Sequence, residues 1–180
     1  ERSGAFALPD EDLSAALFES TQDMADAAGL PAYEISNHAR PGGECRHNIV
    51  YWTGGDYAGI GPGAHGRVTR ADAVYATEQI PGPENWLAAV EADNHGTRRQ
   101  EPLMADVRIE ELIMMGLRLT KGIGRDDFAA RTGMEIEDAL EPRRLRRLIE
   151  GDFVSLDEAG LRATPAGRLR LNAVLAALIG

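Results

Sequence analysis

The sequence predicts a mixed chain with an α/β start, an irregular glycine-rich middle and a mostly α, winged-helix-like close. Three observations carry that expectation. Near the N-terminus a helical apolar stripe is followed at once by a short alternating segment. Residues 36–67 hold 8 of the chain's 20 glycines and 3 of its 4 histidines. Beyond residue 105, helical periods surround a single hairpin signal. The 180 residues, 43% hydrophobic and 27% charged, suit one compact domain or two small ones, because domains run roughly 100–200 residues.

Residues 10–28 read as an amphipathic helix. Asp10 follows Pro9 and caps the first turn, and Gly29 stops the helix. Leu13, Ala16, Leu17, Met24, Ala25 and Ala28 fall on one stripe and are the expected buried face. Pro31 then forces an extended backbone, and Tyr33-Glu34-Ile35 alternates like a short strand. Residues 36–67 are too rich in glycine for a helix and too irregular for a long strand. Long loops of this kind are functional or disordered, and the aromatic content here argues against disorder. A short helix over 84–93 carries Trp86 and Leu87, and the polar run Asn94 to Pro102 marks a boundary near 102.

Past the boundary, Val107 to Leu119 is helical, with Ile109, Leu112, Ile113, Gly116 and Leu117 on one face. Gly122-Ile123-Gly124 is a turn, and Asp126-Asp127 opens a short helix that ends near Gly133. A further helix is expected from Ile136 to Ile149. Phe153 to Leu156 and Leu161 to Ala163 flank Asp157-Glu158-Ala159-Gly160 as a hairpin. Thr164-Pro165, a cap followed by an N1 proline, starts a closing helix over Ala166 to Ile179.

Composition narrows the function classes. No apolar run reaches the roughly 18 residues of a membrane span, and Glu1 to Phe6 has neither the basic start nor the apolar stretch of a signal peptide. The chain does not open on Met and is expected to begin partway through a longer protein. Its one cysteine, Cys45, excludes an internal disulfide framework and a multi-cysteine zinc or iron–sulfur site, and fits a reducing, cytoplasmic setting. The formal charge of −10 is uneven. Residues 1–104 carry 7 Lys+Arg against 16 Asp+Glu, a net of −9, and residues 105–180 carry 12 against 13, a net of −1. Phosphate backbones are repelled by the first half and gain little from the second, so nucleic acid is not an expected partner.

Four groups of residues bear on chemistry. In Cys45-Arg46-His47-Asn48-Ile49-Val50-Tyr51-Trp52, an imidazole or thiolate can ligate haem iron, aromatic rings can cover a macrocycle, and Asn48 can orient the imidazole. Alternatively, and favoured by spacing alone, His47 caps a turn while Tyr51 and Trp52 pack in a core. His38, Cys45, His47 and His65 number enough for tetrahedral zinc, but their spacing matches no common zinc pattern. In Gly59-Ile60-Gly61-Pro62-Gly63-Ala64-His65-Gly66, glycines allow close backbone approach to a ligand. A dinucleotide fingerprint would need a helix directly after the loop, and Pro62 and Arg67-Val68-Thr69-Arg70 do not supply one. The segment is therefore a ligand wall or a structural turn. Finally, Arg143, Arg144, Arg146 and Arg147 lie on the helix a winged helix would insert in a groove. The domain's charge favours a solvated face with ion pairs to Glu141 and Glu150.

Several of these stretches together resemble a known family. Tyr33-Glu34-Ile35-Ser36-Asn37-His38-Ala39-Arg40-Pro41-Gly42 looks like the linker leaving the barrel of oxygen-independent coproporphyrinogen III oxidase-like radical S-adenosylmethionine (SAM) proteins. His47-Asn48-Ile49-Val50-Tyr51-Trp52 resembles the HNxxYW signature of their haem-chaperone (HemW-type) branch, and Gly55 to Gly66 resembles that branch's glycine-rich return segment. Thr164-Pro165-Ala166-Gly167-Arg168 and Leu171-Asn172 resemble its closing helix.

The resemblance implies a radical SAM partial TIM barrel whose last elements are residues 1–35, a connecting region over 36–104 and a C-terminal domain over 105–180. It further implies a parent with a 4Fe-4S cluster and bound SAM, and haem passed to haem-accepting respiratory proteins. The alternative is an oxidase that decarboxylates propionates in porphyrin biosynthesis, and a weaker one is a winged-helix DNA-binding module. The cluster cysteines are absent, so cluster chemistry belongs to the parent with its N-terminal barrel, and no catalytic residue is assigned in this chain. By resemblance His47 is the haem-iron contact with Asn48, Tyr51 and Trp52 around it, and Gly61, Gly63 and Ala64 lie near SAM.

Overall fold

The computed structural model describes residues 8–71 and 73–180. Residues 1–7, which hold the segment read as lacking a signal peptide and the start of the expected barrel piece, lie outside them.

Helix α1 spans Glu11–Ala27 and begins where Asp10 accepts a hydrogen bond from the Leu13 amide at 2.8 Å. Its orientation differs from expectation. Ala15, Phe18, Gln22 and Ala25, a set at i, i+3, i+7 and i+10, are the half-buried residues, while Leu13, Leu17 and Met24 are 51%, 54% and 72% exposed. The stripe with the larger side chains faces outward, while Ala15 and Phe18 look across a shared pocket at Arg168 to Ala173. Leu17→Glu and Met24→Glu should therefore shift the urea midpoint by the equivalent of no more than about 0.5 kcal/mol. A larger loss would show that this stripe is packed.

No strand forms at Tyr33–Ile35. The chain makes isolated bridges instead, Ala32 with His38 and Glu34 with Leu119. Helix α2 (Arg46–Trp52) occupies ground expected to be irregular. The glycines of that region leave a gap from Glu44 to Thr53, and the helix fills it. It ends in a Schellman motif: Gly54 has φ +63°, its N–H reaches Tyr51 O at 3.0 Å, and the Gly55 N–H reaches Val50 O at 2.8 Å.

Sheet 1 was not anticipated. Strands β1 (His65–Arg70), β2 (Ala73–Gln79) and β3 (Thr97–Pro102) run antiparallel in the order β1-β2-β3, with Val68 opposite Tyr75 and Thr77 opposite Gln100. Helix α3 (Pro83–Asp93) joins β2 to β3, and its Trp86 donates to Gln79 at 3.1 Å. The polar run read as a boundary is thus strand β3. Its TRRQEP sequence suits a solvated edge, paired on one side only.

The C-terminal part follows as α4 (Ala105–Gly116), β4 (Ile123–Gly124), α5 (Arg125–Thr132), α6 (Ile136–Ala139), α7 (Pro142–Glu150), β5 (Val154–Leu156), β6 (Gly160–Ala163), α8 (Pro165–Leu169) and α9 (Leu171–Ile179). Its three strands pair antiparallel in the order β4-β6-β5. The helix expected over Ile136–Ile149 is two, because Pro142 cannot continue α6 and Leu140 turns extended while the Glu141 carboxylate caps α7. The closing helix also divides, at Arg170 (φ −122°, ψ 28°). Thr164 caps α8 as expected, accepting from the Gly167 amide at 3.1 Å.

All the buried hydrophobic core lies here: Leu112, Ile113 and Leu117 of the predicted α4 face meet Phe128, Ile136, Leu145, Leu148, Leu161, Val174 and Leu178. Among the described residues before 105, no hydrophobic side chain is fully buried. No helix among the described residues is long and apolar enough to cross a membrane.

Candidate functional site

Helix α2 is held by the C-terminal part at its end and by the linker on its side. The Gly54 carbonyl, one residue past its C-cap, accepts from the Arg108 guanidinium of α4 and from Arg131 of α5 at 3.1 Å. Two cations at the negative end of a helix are the favourable arrangement. Gly54 itself is fixed by packing, since a Cβ there would lie 2.3 Å from Leu112 Cδ2. On the linker side, Asn48 Nδ2 meets the Tyr33 hydroxyl at 3.3 Å.

This framing separates the four residues expected to share a site. His47 is exposed at the first turn, and Tyr51, four residues on, lies beneath it with ring centroids 4.7 Å apart and planes at 86°. Tyr57 continues the stack edge-on at 4.3 Å. Asn48 does not orient the imidazole, because its amide is engaged by Tyr33. Trp52 points elsewhere: the Arg118 guanidinium covers its ring at 4.5 Å, and it lines a pocket against α4 and α5. At 100° per residue, positions 47 and 52 are about 140° apart on the helix, and the structure brings together His47 and Tyr51 but not Trp52.

Below Tyr51 an ion pair joins β1 to α4. Arg67 of β1 holds Glu111 of α4 through two hydrogen bonds, at 3.2 and 2.6 Å. That carboxylate raises the Arg67 pKa above its ordinary value. Burial pushes the Tyr57 phenol up, partly offset by the nearby Arg67. Burial lowers the Arg108 pKa, assisted by repulsion from Arg131.

The glycine segment is built as a turn into β1. Gly61 and Gly63 have φ +102° and +69°. The Gly63 N–H bonds Ile80 O at 2.9 Å and the Ala64 N–H bonds Gly61 O at 3.2 Å, so both amides are spent internally. A Cβ at Gly59 would lie 2.4 Å from His65 O, and one at Gly66 would lie 2.5 Å from Thr77 Oγ1. These two glycines serve backbone crossing. The absence of a following helix agrees with the sequence argument against a dinucleotide site: β1 follows instead.

The four zinc candidates His38, Cys45, His47 and His65 do not converge, and among the described residues no three His, Cys, Asp or Glu side chains form a metal-binding group. Arg143, Arg146 and Arg147 make none of the ion pairs expected with Glu141 and Glu150 among the described residues. Glu141 caps the helix through the Arg143 and Arg144 amides at 3.0 and 2.8 Å.

Sequence reasoning missed the most deeply buried polar group. Glu34 is 0% exposed. Its Oε1 accepts from the Ser36 amide at 2.7 Å, Ser36 Oγ at 3.1 Å and Asn37 Nδ2 at 2.6 Å, and its Oε2 accepts from Arg118 at 3.1 Å. The available signal was Glu-x-Ser-Asn after a proline, in which short polar side chains can reach back to a carboxylate.

Residues 103–170 match the family model of the HemN C-terminal domain. The chain is 34% identical to the bovine (Bos taurus) radical S-adenosyl methionine domain-containing protein 1, mitochondrial, over 99% of its own length and 42% of that protein's. It is 31% identical to the heme chaperone HemW of Bacillus subtilis, over 99% of the chain and 46% of the relative. To the heme chaperone HemW of Escherichia coli it is 33% identical, over 93% and 43%. In structure it resembles Escherichia coli coproporphyrinogen III oxidase (HemN), a radical SAM enzyme, with TM-score 0.67 and 17% identity over 94% of this chain and 42% of that one. The chain spans less than half the length of these relatives.

Proposed function

We propose, from the premise that the chain belongs to the HemN/HemW-like proteins and forms their C-terminal part, that it carries the haem-contacting helix of a haem chaperone. The observation that supports this is the exposed imidazole of His47, backed by Tyr51 and Tyr57. An open imidazole beside an aromatic stack offers iron an axial ligand and the macrocycle an apolar neighbour. Haem is cargo here, and respiratory haem proteins are its proposed acceptors, in a cytoplasmic setting. Asn48 and Trp52 contribute by anchoring α2 to the linker and to the C-terminal part. The HNxxYW residues and the relatives named heme chaperone favour this reading over the oxidase, whose likeness at 17% identity concerns the fold alone.

The same reading takes residues 1–35 as the last elements of the radical SAM barrel, 36–104 as the connecting region and 105–180 as a winged-helix-like domain. The outward stripe of α1 and the lack of buried hydrophobics among the described residues before 105 fit a surface that the barrel covers. The turn Gly61-Pro62-Gly63-Ala64 would lie near the SAM end and present backbone rather than side chains. A 4Fe-4S cluster does not fit the residues present, since the chain has one cysteine, Cys45, which is exposed, and no metal-binding group forms among the described residues. Cluster and SAM chemistry stay with the parent.

Haem titration tests the proposal. Added haem should shift its Soret band on the wild-type chain, and His47→Ala should weaken that binding at least about tenfold. Equal binding by both forms removes His47 from the site. No shift with either form puts the haem site outside this chain.

A further inference from the structure

On another side of α2 a pocket of about 260 Å³ opens against the C-terminal part. Leu112, Ile123 and Phe128, all buried, form its apolar lining, and the Trp52 indole forms one wall. The hollow opens to solvent, and apolar walls with a few charged groups at the mouth are the usual make-up of a small-molecule cleft. Two of its three lining glycines are fixed by packing. A Cβ on Gly116 would lie 2.4 Å from Ile123 Cγ1, and one on Gly122 would lie 2.2 Å from Leu161 O. The third lining glycine, Gly124, has only ordinary contacts, the nearest at 3.7 Å to Asp127 Oδ2.

The rim is charged and asymmetric. Lys121 and Arg131 stand there against a single carboxylate, Asp127. Lys121 has no hydrogen bond or ion pair among the described residues, and Arg131 commits one nitrogen to Gly54 O at 3.1 Å. A neutral apolar occupant would leave the excess cation unused, and a dianion would meet Asp127 without compensation. We propose that this pocket binds a compact apolar molecule carrying one carboxylate, its body against Trp52 and Phe128 and its charge beside Lys121 and Arg131. The site uses no atom of His47 and stands apart from the haem reading.

Calorimetric titration of the 180-residue chain with 2-naphthoate and with its neutral counterpart 2-naphthylmethanol tests it. Naphthoate should saturate one site. Lys121→Glu, an exposed substitution, should weaken naphthoate about fivefold, and Asp127→Asn should tighten it about threefold, as expected for contacts at a solvated rim. A gain of affinity cannot arise from misfolding. The alcohol should ignore both changes, and His47→Ala should leave naphthoate binding intact even if haem binding is lost. The proposal is overturned if wild type shows no saturable binding at millimolar naphthoate. It is equally overturned if acid and alcohol respond alike to the rim variants, or if sedimentation shows a second copy of the chain covering the pocket.

Discussion

Glu34→Ala should remove about 1.5–3 kcal/mol of folding stability, the range for losing hydrogen bonds to a charged group whose Arg118 partner keeps part of its surface in water. The side chain is fully buried and collects four hydrogen bonds, three on one oxygen and one from Arg118 on the other. Its loss takes the shared acceptor from Ser36, Asn37 and Arg118 at once. The same few residues tie the linker to the C-terminal part: the Thr120 amide donates to Tyr33 O at 3.0 Å, and Arg168 reaches Glu34 O at 3.3 Å. Arg118 also covers Trp52, so the change should appear in tryptophan emission as well as in the urea midpoint.

Glu34→Gln separates the contributions. Its amide oxygen can replace the oxygen facing Ser36 and Asn37, while its NH₂ meets a donor on Arg118, so a smaller loss is expected. Acidity supplies a third reading. Burial alone would raise the Glu34 pKa, but hydrogen bonds from Ser36 and Asn37 and the charge of Arg118 outweigh it and hold the carboxyl below the ordinary 4.5. A folded value below the unfolded one means that this stability is complete above about pH 4.5 and is lost as pH falls through the folded value. The Gln variant should lack that part of the acid sensitivity. A wild type and a Gln variant with the same acid profile would show that the carboxylate is not charged in the fold.

The C-terminal part was legible because its signals are local. Thr164-Pro165 capping a helix, Gly133 ending one, and Asp157 to Gly160 turning a hairpin each depend on neighbours in sequence, and each is found where expected. Long-range choices were not legible. The α1 sequence has two candidate faces, and only the partner decides between Leu13-Leu17-Met24 and Ala15-Phe18-Gln22. Strand β3 is so polar that pairing with β2, not its own composition, makes it a strand. In the candidate site, the i, i+4 relation of His47 and Tyr51 was available from spacing. That Trp52 turns to a different wall was not, because it depends on where Arg118, Leu112 and Phe128 fold back, 60 residues and more along the chain.

Gly167 tests whether such a local signal can be overruled by packing. Helix propensity says that Ala in place of Gly inside a helix gains roughly 0.5–1 kcal/mol. Gly167 is the third residue of α8, its amide bonded to the Thr164 hydroxyl, so propensity alone predicts a more stable protein. The structure predicts the reverse. A Cβ at Gly167 would lie 1.8 Å from the Phe153 carbonyl oxygen and 2.8 Å from its carbon. That carbonyl cannot retreat freely, because it also accepts the Thr164 amide at 3.1 Å, and the Thr164 hydroxyl is bonded to Asp152 O. Relief requires α8 to lift from the Phe153 backbone just before β5, giving up the cap and loosening Leu171 and Val174 behind it. Overpacking costs about 1–3 kcal/mol and occasionally more, which exceeds the propensity gain, so Gly167→Ala should lose about 3 kcal/mol in a urea titration. A variant as stable as wild type, or more so, would mean that α8 does not sit on the Phe153 backbone and that the Thr164-Pro165 start alone positions the closing helices.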